Sequence, residues 1–480
     1  MKYEAVIGLE VHVELATDTK IFCSCSAHSF GAEPNTHICP TCLGMPGALP
    51  MLNKKVVDYA IKAGMMLGCN INRTSTFDRK SYFYPDLPNA YQITQYFSPI
   101  ATDGAVEIDT VCGKKHIRVG EMHMEEDAGK LIHDIKKDTT HIDFNRAGVP
   151  LLEIVSQPDL SSGEEVESYL ERLKTLLRYA RVAECEMAHG TMRCDVNISV
   201  RPAGSKILGV RTELKNMNSI EAIKRAIKYE TARHIDILEN GSEVLRQETR
   251  RWNEASGKTV SMRTKETAGD YRYAPDPNLA PLAIDEEWIR EIQSTLPEFP
   301  EIKRERYMRE YVLNSYDAEQ LTKSIALCNC FEDAVSVCHS PKDAANWMTG
   351  EVMSLLNAKQ RTYDELAVDG KTLGSLIRLV MDGKVGRANA RIILDALFED
   401  ATIDPFAYAE ENGFLISNDT ENIMTIVKAI VDADAKSVAD YKSGKEKALM
   451  FLFGKCMKEL KGNCNPQLLR TILCDYIAKT

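Results

Sequence analysis

Residues 5–15 alternate strictly: Ala5, Ile7, Leu9, Val11 and Val13 fall on one side of an extended chain, and Gly8, Glu10, His12 and Glu14 on the other. The same two-residue period recurs over 117–125, where Glu121, His123 and Glu125 share a side. It recurs again over 193–200, where Arg193, Asp195, Asn197 and Ser199 oppose Cys194, Val196, Ile198 and Val200. These segments predict half-buried strands that carry charge on one face. Over 163–181 the period becomes helical, with Val166, Tyr169, Leu170, Leu173, Leu177 and Ala180 as the apolar stripe and Ser162 with Glu165 as a capping box. A second helix is predicted from Asn218 or Ser219 to about Asn240, stopped by Gly241. The Pro-rich run Tyr273–Pro281 and the segment Leu296–Pro300 read as linkers, after which the pattern is helical almost throughout. A further break falls near Ile403–Pro405, and the last stretch closes with an amphipathic helix, the turn Gly462–Pro466 and one more helix. The expected class is α+β, with a β-rich domain over 1–295, an all-α domain over 296–405 and a small all-α tail over 406–480.

The 480 residues suit three domains at roughly 150 residues each. A hydrophobic fraction of 44% with 27% charged residues excludes disordered, collagen-like and small disulfide-scaffold classes. The net charge of −11 excludes a generic DNA-coating protein, so any nucleic-acid surface must be a local basic patch. One candidate patch lies in the tail, where Lys442, Lys445, Lys447, Lys455, Lys458, Lys461 and Arg470 outnumber Glu446 and Glu459. No uncharged apolar run approaches the roughly 18 residues of a membrane span, and the N-terminus lacks the apolar core of a signal peptide. Fourteen cysteines without an export signal then read as thiols or metal ligands of a cytoplasmic protein.

Cys23-x-Cys25, thirteen residues, then Cys39-x-x-Cys42 places four thiols close enough in sequence to close around one ion. A tetrahedral four-thiolate shell is what structural Zn2+ accepts, and it leaves no open position for catalysis; four unrelated buried thiols are the alternative. Glu10, His12, Glu125 and Glu153 each interrupt apolar strand pattern, where an uncompensated carboxylate is costly. Alone, each reads as a salt-bridged strand residue; together they suit Mg2+, which prefers oxygen ligands and bridges phosphates. Arg79, Lys80, Arg146, Arg193, Arg211, Lys215, Arg250, Arg251, Arg263 and Arg272 punctuate the same region. Arg193 and Arg211 sit on predicted strands, which favours a positioned phosphate or carboxylate contact, whereas Arg250–Arg251 read equally well as a solvated face. No Walker, kinase or dinucleotide signature occurs. The residues alone point to magnesium-dependent phosphate chemistry, with a nucleic acid among the candidate substrates.

Longer segments carry a resemblance. Ile7–Leu15, Asp78–Pro88, Glu125–Lys130, Asn145–Glu153, Met192–Val200 and Leu214–Ser219 match the hallmark segments of one family. Gln247–Arg250, Asp270–Tyr273, Tyr316–Ala318, Lys461–Gly462 and Asn465–Pro466 continue the match in the same order. On these the chain resembles the B subunits of the aspartyl/glutamyl-tRNA amidotransferases. The resemblance implies a cradle similar in its core to glutamine synthetase and guanidino kinases, then a helical domain and a tRNA-binding tail. It implies a carbon–nitrogen ligase with glutamine as amido donor, which uses ATP and Mg2+ to phosphorylate the side-chain carboxylate of glutamate or aspartate mischarged onto tRNA. Ammonia then displaces the phosphate, giving Gln-tRNA or Asn-tRNA. Carried onto this chain, the catalytic set is Glu10, His12, Lys80, Glu125, Glu153, Arg193, Asp195 and Lys215. Arg211, Asn197 and Ser219 become nucleotide contacts; Glu10, His12, Glu125 and Glu153 become Mg2+ ligands; and Cys23, Cys25, Cys39 and Cys42 become ligands of a structural Zn2+.

The chain carries no Gly/Ser-rich amidase signature. The resemblance therefore implies a heterotrimer in which an amidase partner supplies ammonia through a tunnel and a small third chain bridges the two. The chain departs from the family at Asn89–Ala90, where Lys-Gly is common, at Ala268–Gly269 and at Gln157, none of which is a proposed ligand. Some family members lack the four cysteines, which separates that site from the chemistry. Two other readings are a non-catalytic tRNA-binding scaffold that docks an amidase, and a free-standing carboxylate–ammonia ligase acting on a small molecule. A scaffold has no reason to gather the acidic set, and the basic tail disfavours a small-molecule substrate.

Overall fold

The computed structural model describes residues 2–134, 136–241, 244–264, 271–416, 420–460 and 464–479, with the side chains of Arg263 and Thr264 left aside. Ala268–Asp270 and Lys461–Gly462, used above, lie outside the described residues. The chain divides into two compact units, Met1–Phe299 and Pro300–Thr480.

The first unit opens with β1 (Tyr3–Glu14), α1 (Lys54–Met66), β2 (Asn70–Ile71), β3 (Thr74–Ser75), β4 (Asp78–Ser81) and β5 (Tyr91–Thr94). Next come β6 (Ala101–Thr110), β7 (Gly113–Glu126), β8 (Lys130–Asp134), β9 (Thr139–Asp143), β10 (Pro150–Ser156) and α2 (Gly163–Tyr179). It closes with β11 (Met192–Pro202), β12 (Thr212–Lys215), α3 (Ile220–Asn240), β13 (Glu248–Asn253), β14 (Lys258–Thr264), β15 (Ala274–Pro275), β16 (Leu282–Ala283) and α4 (Glu286–Ser294).

Among the described residues the main sheet has nine strands in the order β14-β13-β12-β11-β1-β10-β7-β6-β2. Its central strand is the one whose alternation is cleanest. Ile7, Leu9, Val11 and Val13 are fully buried, and each such side chain contributes roughly 1.5–3 kcal/mol of transfer free energy. Helices α1, α2 and α3 pack against strands of this sheet, so the charged side of the alternation is left facing away from them.

Ser162 caps α2, accepting from the Glu165 N–H at 3.2 Å. The reciprocal bond of the expected capping box is shifted by one residue: Glu165 Oε2 accepts from the backbone N–H of Ser161 at 2.8 Å. Lys115 Nζ, 2.8 Å from the same oxygen, draws that carboxylate toward the sheet. Ser219 caps α3, and Gly241 ends it in the left-handed region at φ +63°, a conformation glycine adopts without a Cβ penalty.

The run Tyr273–Pro281 is not a linker. Ala274 and Pro275 pair with Arg79 and Asp78, and buried Asp276 binds Arg79 at 2.7 Å, so the segment is a strand of the small sheet β15-β4-β5. A two-residue strand offers no periodicity to read, and proline is tolerated there because the strand lies at a sheet edge.

The second unit is helical: α5 (Pro300–Glu310), α6 (Ser315–Leu321), α7 (Ile325–Cys338), α8 (Pro341–Trp347), a π-turn at Met348–Val352 and α9 (Met353–Ala358). After a 3-10 turn at Tyr363–Glu365 come α10 (Gly370–Met381), α11 (Arg387–Glu399), α12 (Pro405–Glu411), α13 (Thr420–Ala433), α14 (Ala435–Lys442), α15 (Glu446–Glu459) and α16 (Pro466–Lys479). Helix α12 packs against α10 and α11, while α13–α16 enclose a core of their own around Val427, Leu452 and Leu469. The α+β layout expected from the pattern is what the chain adopts. No helix among the described residues is long and apolar enough to cross a membrane.

Candidate active site

The charged face of the sheet is assembled by register. On β1, His12 stands opposite Arg193 of β11 on one side and Glu153 of β10 on the other, and Glu10 stands opposite Asp195. Glu153 in turn faces His123 of β7, and Glu125 projects from the same side of that strand two residues on.

This register forms two acidic groups. In one, His12 Nε2 lies 3.5 Å from Glu125 Oε1 and 3.7 Å from Glu153 Oε1. In the other, Glu10, Asp195 and Glu213 bring their oxygens within 4.8 Å of one another. The four residues grouped from sequence thus divide, with Glu10 joining the second set. Glu213 is the member that sequence reasoning missed, although it lies on β12 beside Lys215, two residues on, and that alternation was its signal. Lys215 bridges the second group, its Nζ pairing with Asp195 and lying 3.1 Å from Glu213. Asn197 donates to Glu10 at 2.8 Å, while its own buried Oδ1 has no hydrogen-bond partner among the described residues.

Burial sets the protonation states. It pushes His12 down to about 4, with Arg193, Lys215 and Lys80 reinforcing the shift against Glu153, so the ring is neutral and keeps a lone pair. Burial and the neighbouring Glu153 carboxylate push Glu125 up to about 8, against the pull of Lys80. A neutral imidazole beside two carboxylates, with Glu125 held above its usual pKa mainly by burial, fits a hard divalent cation such as Mg2+. Lys80 reaches this group from β4, whose partner β5 is tied to β7 by Gln92 Nε2 donating to Glu126 O at 2.8 Å. Burial disfavours the Lys80 ammonium, but Glu125, Tyr273 and Glu153 more than compensate and raise its pKa. Arg193 is held by Asp127 at 2.6 Å, and Asp127 also lies 3.4 Å from Arg146.

The other basic candidates are placed differently. Arg211 is exposed and stands one residue before β12, not on a strand as expected, because pairing with β11 begins only at Thr212. The Ser219 hydroxyl accepts from the Ala222 N–H at 3.2 Å as the cap of α3. Arg250 is no solvated face: it is 13% exposed and binds Glu248 at 2.7 Å and Thr259 at 2.9 Å, whereas Arg251 beside it is exposed.

The Sγ atoms of Cys23, Cys25, Cys39 and Cys42 lie within 4.8 Å of one another. Lys20, fully buried, donates to His37 O at 2.8 Å and stands 3.6 Å from Cys42 Sγ. The hydrogen bond from Cys23 and the Lys20 ammonium hold Cys42 down to about 5 against burial. Four convergent sulfurs with a cation favouring the thiolate fit a soft tetrahedral ion such as Zn2+.

Residues 5–290 match the family model described as the GatB/GatE catalytic domain, and 329–477 match the GatB domain. Both acidic groups and the four cysteines fall in the first match. The chain is 50% identical over 479 residues to the B subunit of the aspartyl/glutamyl-tRNA(Asn/Gln) amidotransferase of Caldanaerobacter subterraneus subsp. tengcongensis. It is 50% identical over 482 residues to that of Caldicellulosiruptor saccharolyticus and 46% over 480 to that of Clostridium tetani. Each of these alignments spans all of both chains.

Proposed function

This chain belongs to the GatB/GatE family of amidotransferase B subunits, and from that premise we propose that it activates the side-chain carboxylate of glutamate or aspartate on mischarged tRNA with ATP. Ammonia supplied by a partner amidase, joined through a small bridging chain in a cytoplasmic heterotrimer, then completes Gln-tRNA(Gln) or Asn-tRNA(Asn). The observation that carries this reading is the pair of acidic groups side by side on one sheet face, flanked by Lys80, Arg193 and Lys215. A free carboxylate has no good leaving group, and phosphorylation makes an acyl phosphate that an amine can attack. His12, Glu125 and Glu153 would hold Mg2+, which would neutralise charge on the transferring phosphoryl group.

The chain's own residues orient the reactants. Lys80 presents an ammonium beside Glu125, where the substrate carboxylate or an entering phosphate can be paired. Arg193, kept in place by Asp127, offers a planar fork to phosphate oxygens. Lys215, Asp195, Glu213 and Glu10 form the adjoining subsite, and the unpartnered Asn197 Oδ1 is an acceptor ready for a ligand N–H or hydroxyl. Arg211, just before β12, and Ser219, at the start of α3, are carried over as the nucleotide contacts. The four cysteines hold a structural Zn2+. The working division is a cradle over 1–295, a helical domain over 296–405 and a tRNA-binding tail over 406–480.

The test is Glu125→Gln and Glu153→Gln in the assembled complex. Each keeps the side-chain shape but removes charge, so ATP-dependent activation should fall by about 100-fold or more, while the partner's glutaminase persists at its basal level. Unchanged transamidation at saturating Mg2+ in both variants refutes the assignment.

A further inference from the structure

A cavity of about 370 Å3 opens against the four-cysteine knuckle, walled on one side by the irregular segment Gly44–Pro50. Of the four cysteines, Cys23 and Cys42 line it. These two are hydrogen-bonded to each other, as Cys25 is to Cys39. The knuckle thus divides into two close pairs, and one pair faces the cavity. Cys23 is half-buried and Cys42 buried, so a solute small enough to enter the cavity meets both sulfurs.

The same knuckle is tied to the charged sheet face. Lys20 Nζ, beside Cys42 Sγ, donates to His37 O and also to Phe144 O at 3.4 Å. The His37 N–H donates to Asn145 Oδ1 at 2.8 Å, and Asn145 Nδ2 to Glu33 O at 2.7 Å. Gly148 packs directly on the cysteines: at φ +84° it takes a left-handed conformation, and an added Cβ would stand 3.6 Å from that of Cys42. Its carbonyl accepts from the Ile21 N–H at 3.0 Å, and its N–H donates to Asp127 O at 2.9 Å. Asp127 is the residue that holds Arg193. The shape of the knuckle therefore fixes the loop 144–148, and that loop fixes the carboxylate that orients Arg193.

We propose that Cys23 and Cys42 are an oxidation site: hydrogen peroxide entering the cavity converts them to a disulfide, which releases the zinc and slackens the hold on Arg193. The inference rests on the proposed function, which supplies both the structural Zn2+ and the role of Arg193. A thiolate in a metal shell is already deprotonated, the form that peroxide attacks. The Cys23 sulfur takes one peroxide oxygen as the O–O bond breaks, and the departing hydroxide gains a proton to become water. The Cys42 thiolate then attacks the resulting sulfenic acid, forming the S–S bond and expelling the second oxygen, which leaves as water with another proton. Two thiolates, one peroxide and two protons give one disulfide and two waters, with two electrons passing from sulfur to oxygen. Bonded sulfurs stand about 2 Å apart, so the pair is drawn out of a tetrahedral arrangement, and Cys25 with Cys39 cannot close a four-ligand shell alone.

The experiment treats the intact, zinc-loaded complex with a small excess of hydrogen peroxide. Released zinc is followed with a metal-sensitive dye, and the disulfide is located by peptide mapping. Peroxide should free about one zinc per chain, join Cys23 to Cys42 and lower ATP-dependent activation by about tenfold or more. The partner's basal glutaminase should persist, and a thiol reductant with added Zn2+ should restore activation. Cys112 is exposed, and the Cys112→Ser complex should respond as wild type does. Zinc retained while Cys112 of the wild type oxidises leaves the knuckle and overturns the proposal. So does a Cys25–Cys39 disulfide in place of the expected one, which removes the cavity as the route, or full activation after the zinc has left, which removes the link to Arg193. A complex isolated without zinc, or one that never activates with ATP before peroxide is added, overturns the parent reading and the proposal with it.

Discussion

Glu230 offers a quantitative test of how the sheet edge beside the site is held. It occupies a position on the apolar stripe of α3, between Ile223, Ile227, His234 and Ile237, and is fully buried. Its carboxylate accepts from Arg233 Nε at 3.0 Å and Thr259 at 2.7 Å, with His234 Nε2 at 3.2 Å and Arg250 at 3.6 Å. It thereby clamps the helix to β13 and β14. Burial alone raises a carboxyl pKa, but the hydrogen bonds from His234, Arg233 and Thr259 and the Arg233 charge overcome it and bring Glu230 from 4.5 down to about 2. At about 1.4 kcal/mol per pH unit, that separation corresponds to ~3 kcal/mol of stability carried by the ionised form. Because the folded value lies below the unfolded one, the contribution is complete above pH 4.5 and fades as the pH falls toward 2. Glu230→Gln keeps the shape but leaves Arg233 and Arg250 facing a neutral amide, so it should cost ~3 kcal/mol at pH 7. The difference from wild type should be more than half gone by about pH 3. Urea unfolding read from buried Trp252 on β13, with Trp288 and Trp347 replaced by Phe, reports this edge directly. A loss under about 1 kcal/mol at pH 7, or one that does not change with pH, refutes the electrostatic account.

Two further outcomes follow from the other clusters. Converting Cys39 and Cys42 to Ser should release about one zinc per chain and open the segment 20–50 to proteolysis, because a four-thiolate site contributes folding energy; an intact protein without bound metal by elemental analysis removes the site. In the tail, Lys445 pairs with Asp440 at 2.8 Å and Lys455 with Asp434 at 2.7 Å, so part of the basic excess counted from sequence is neutralised within the fold. Lys447 and Lys458 are exposed, and replacing both by Glu should weaken tRNA binding and flatten its log–log salt slope by about 2. Equal affinities and slopes would leave the tail a structural element.

What the sequence by itself determined is what a local period can carry. One face of β1, β7 and β11 is buried under helices, so the two-residue alternation had to be written into the chain, and it put His12, Glu125, Asp195 and Asn197 on the opposite face before any pairing was known. The capped starts of α2 and α3 and the glycine stop after Asn240 were legible for the same reason: each satisfies backbone groups within a few residues of itself. Strand order and register are long-range choices with no local signature, and only the tertiary structure decided them. That is why His12, Glu125 and Glu153 converge while Glu10, adjacent on the same face, joins Asp195 and Glu213. The edge strand at Ala274–Pro275, the burial of Arg250 and the lysine pairs of the tail escaped for the same reason. In each case the partner that fixes the residue, Arg79, Thr259, Asp434 or Asp440, is supplied by a pairing or a turn that no alternation of apolar and polar residues records.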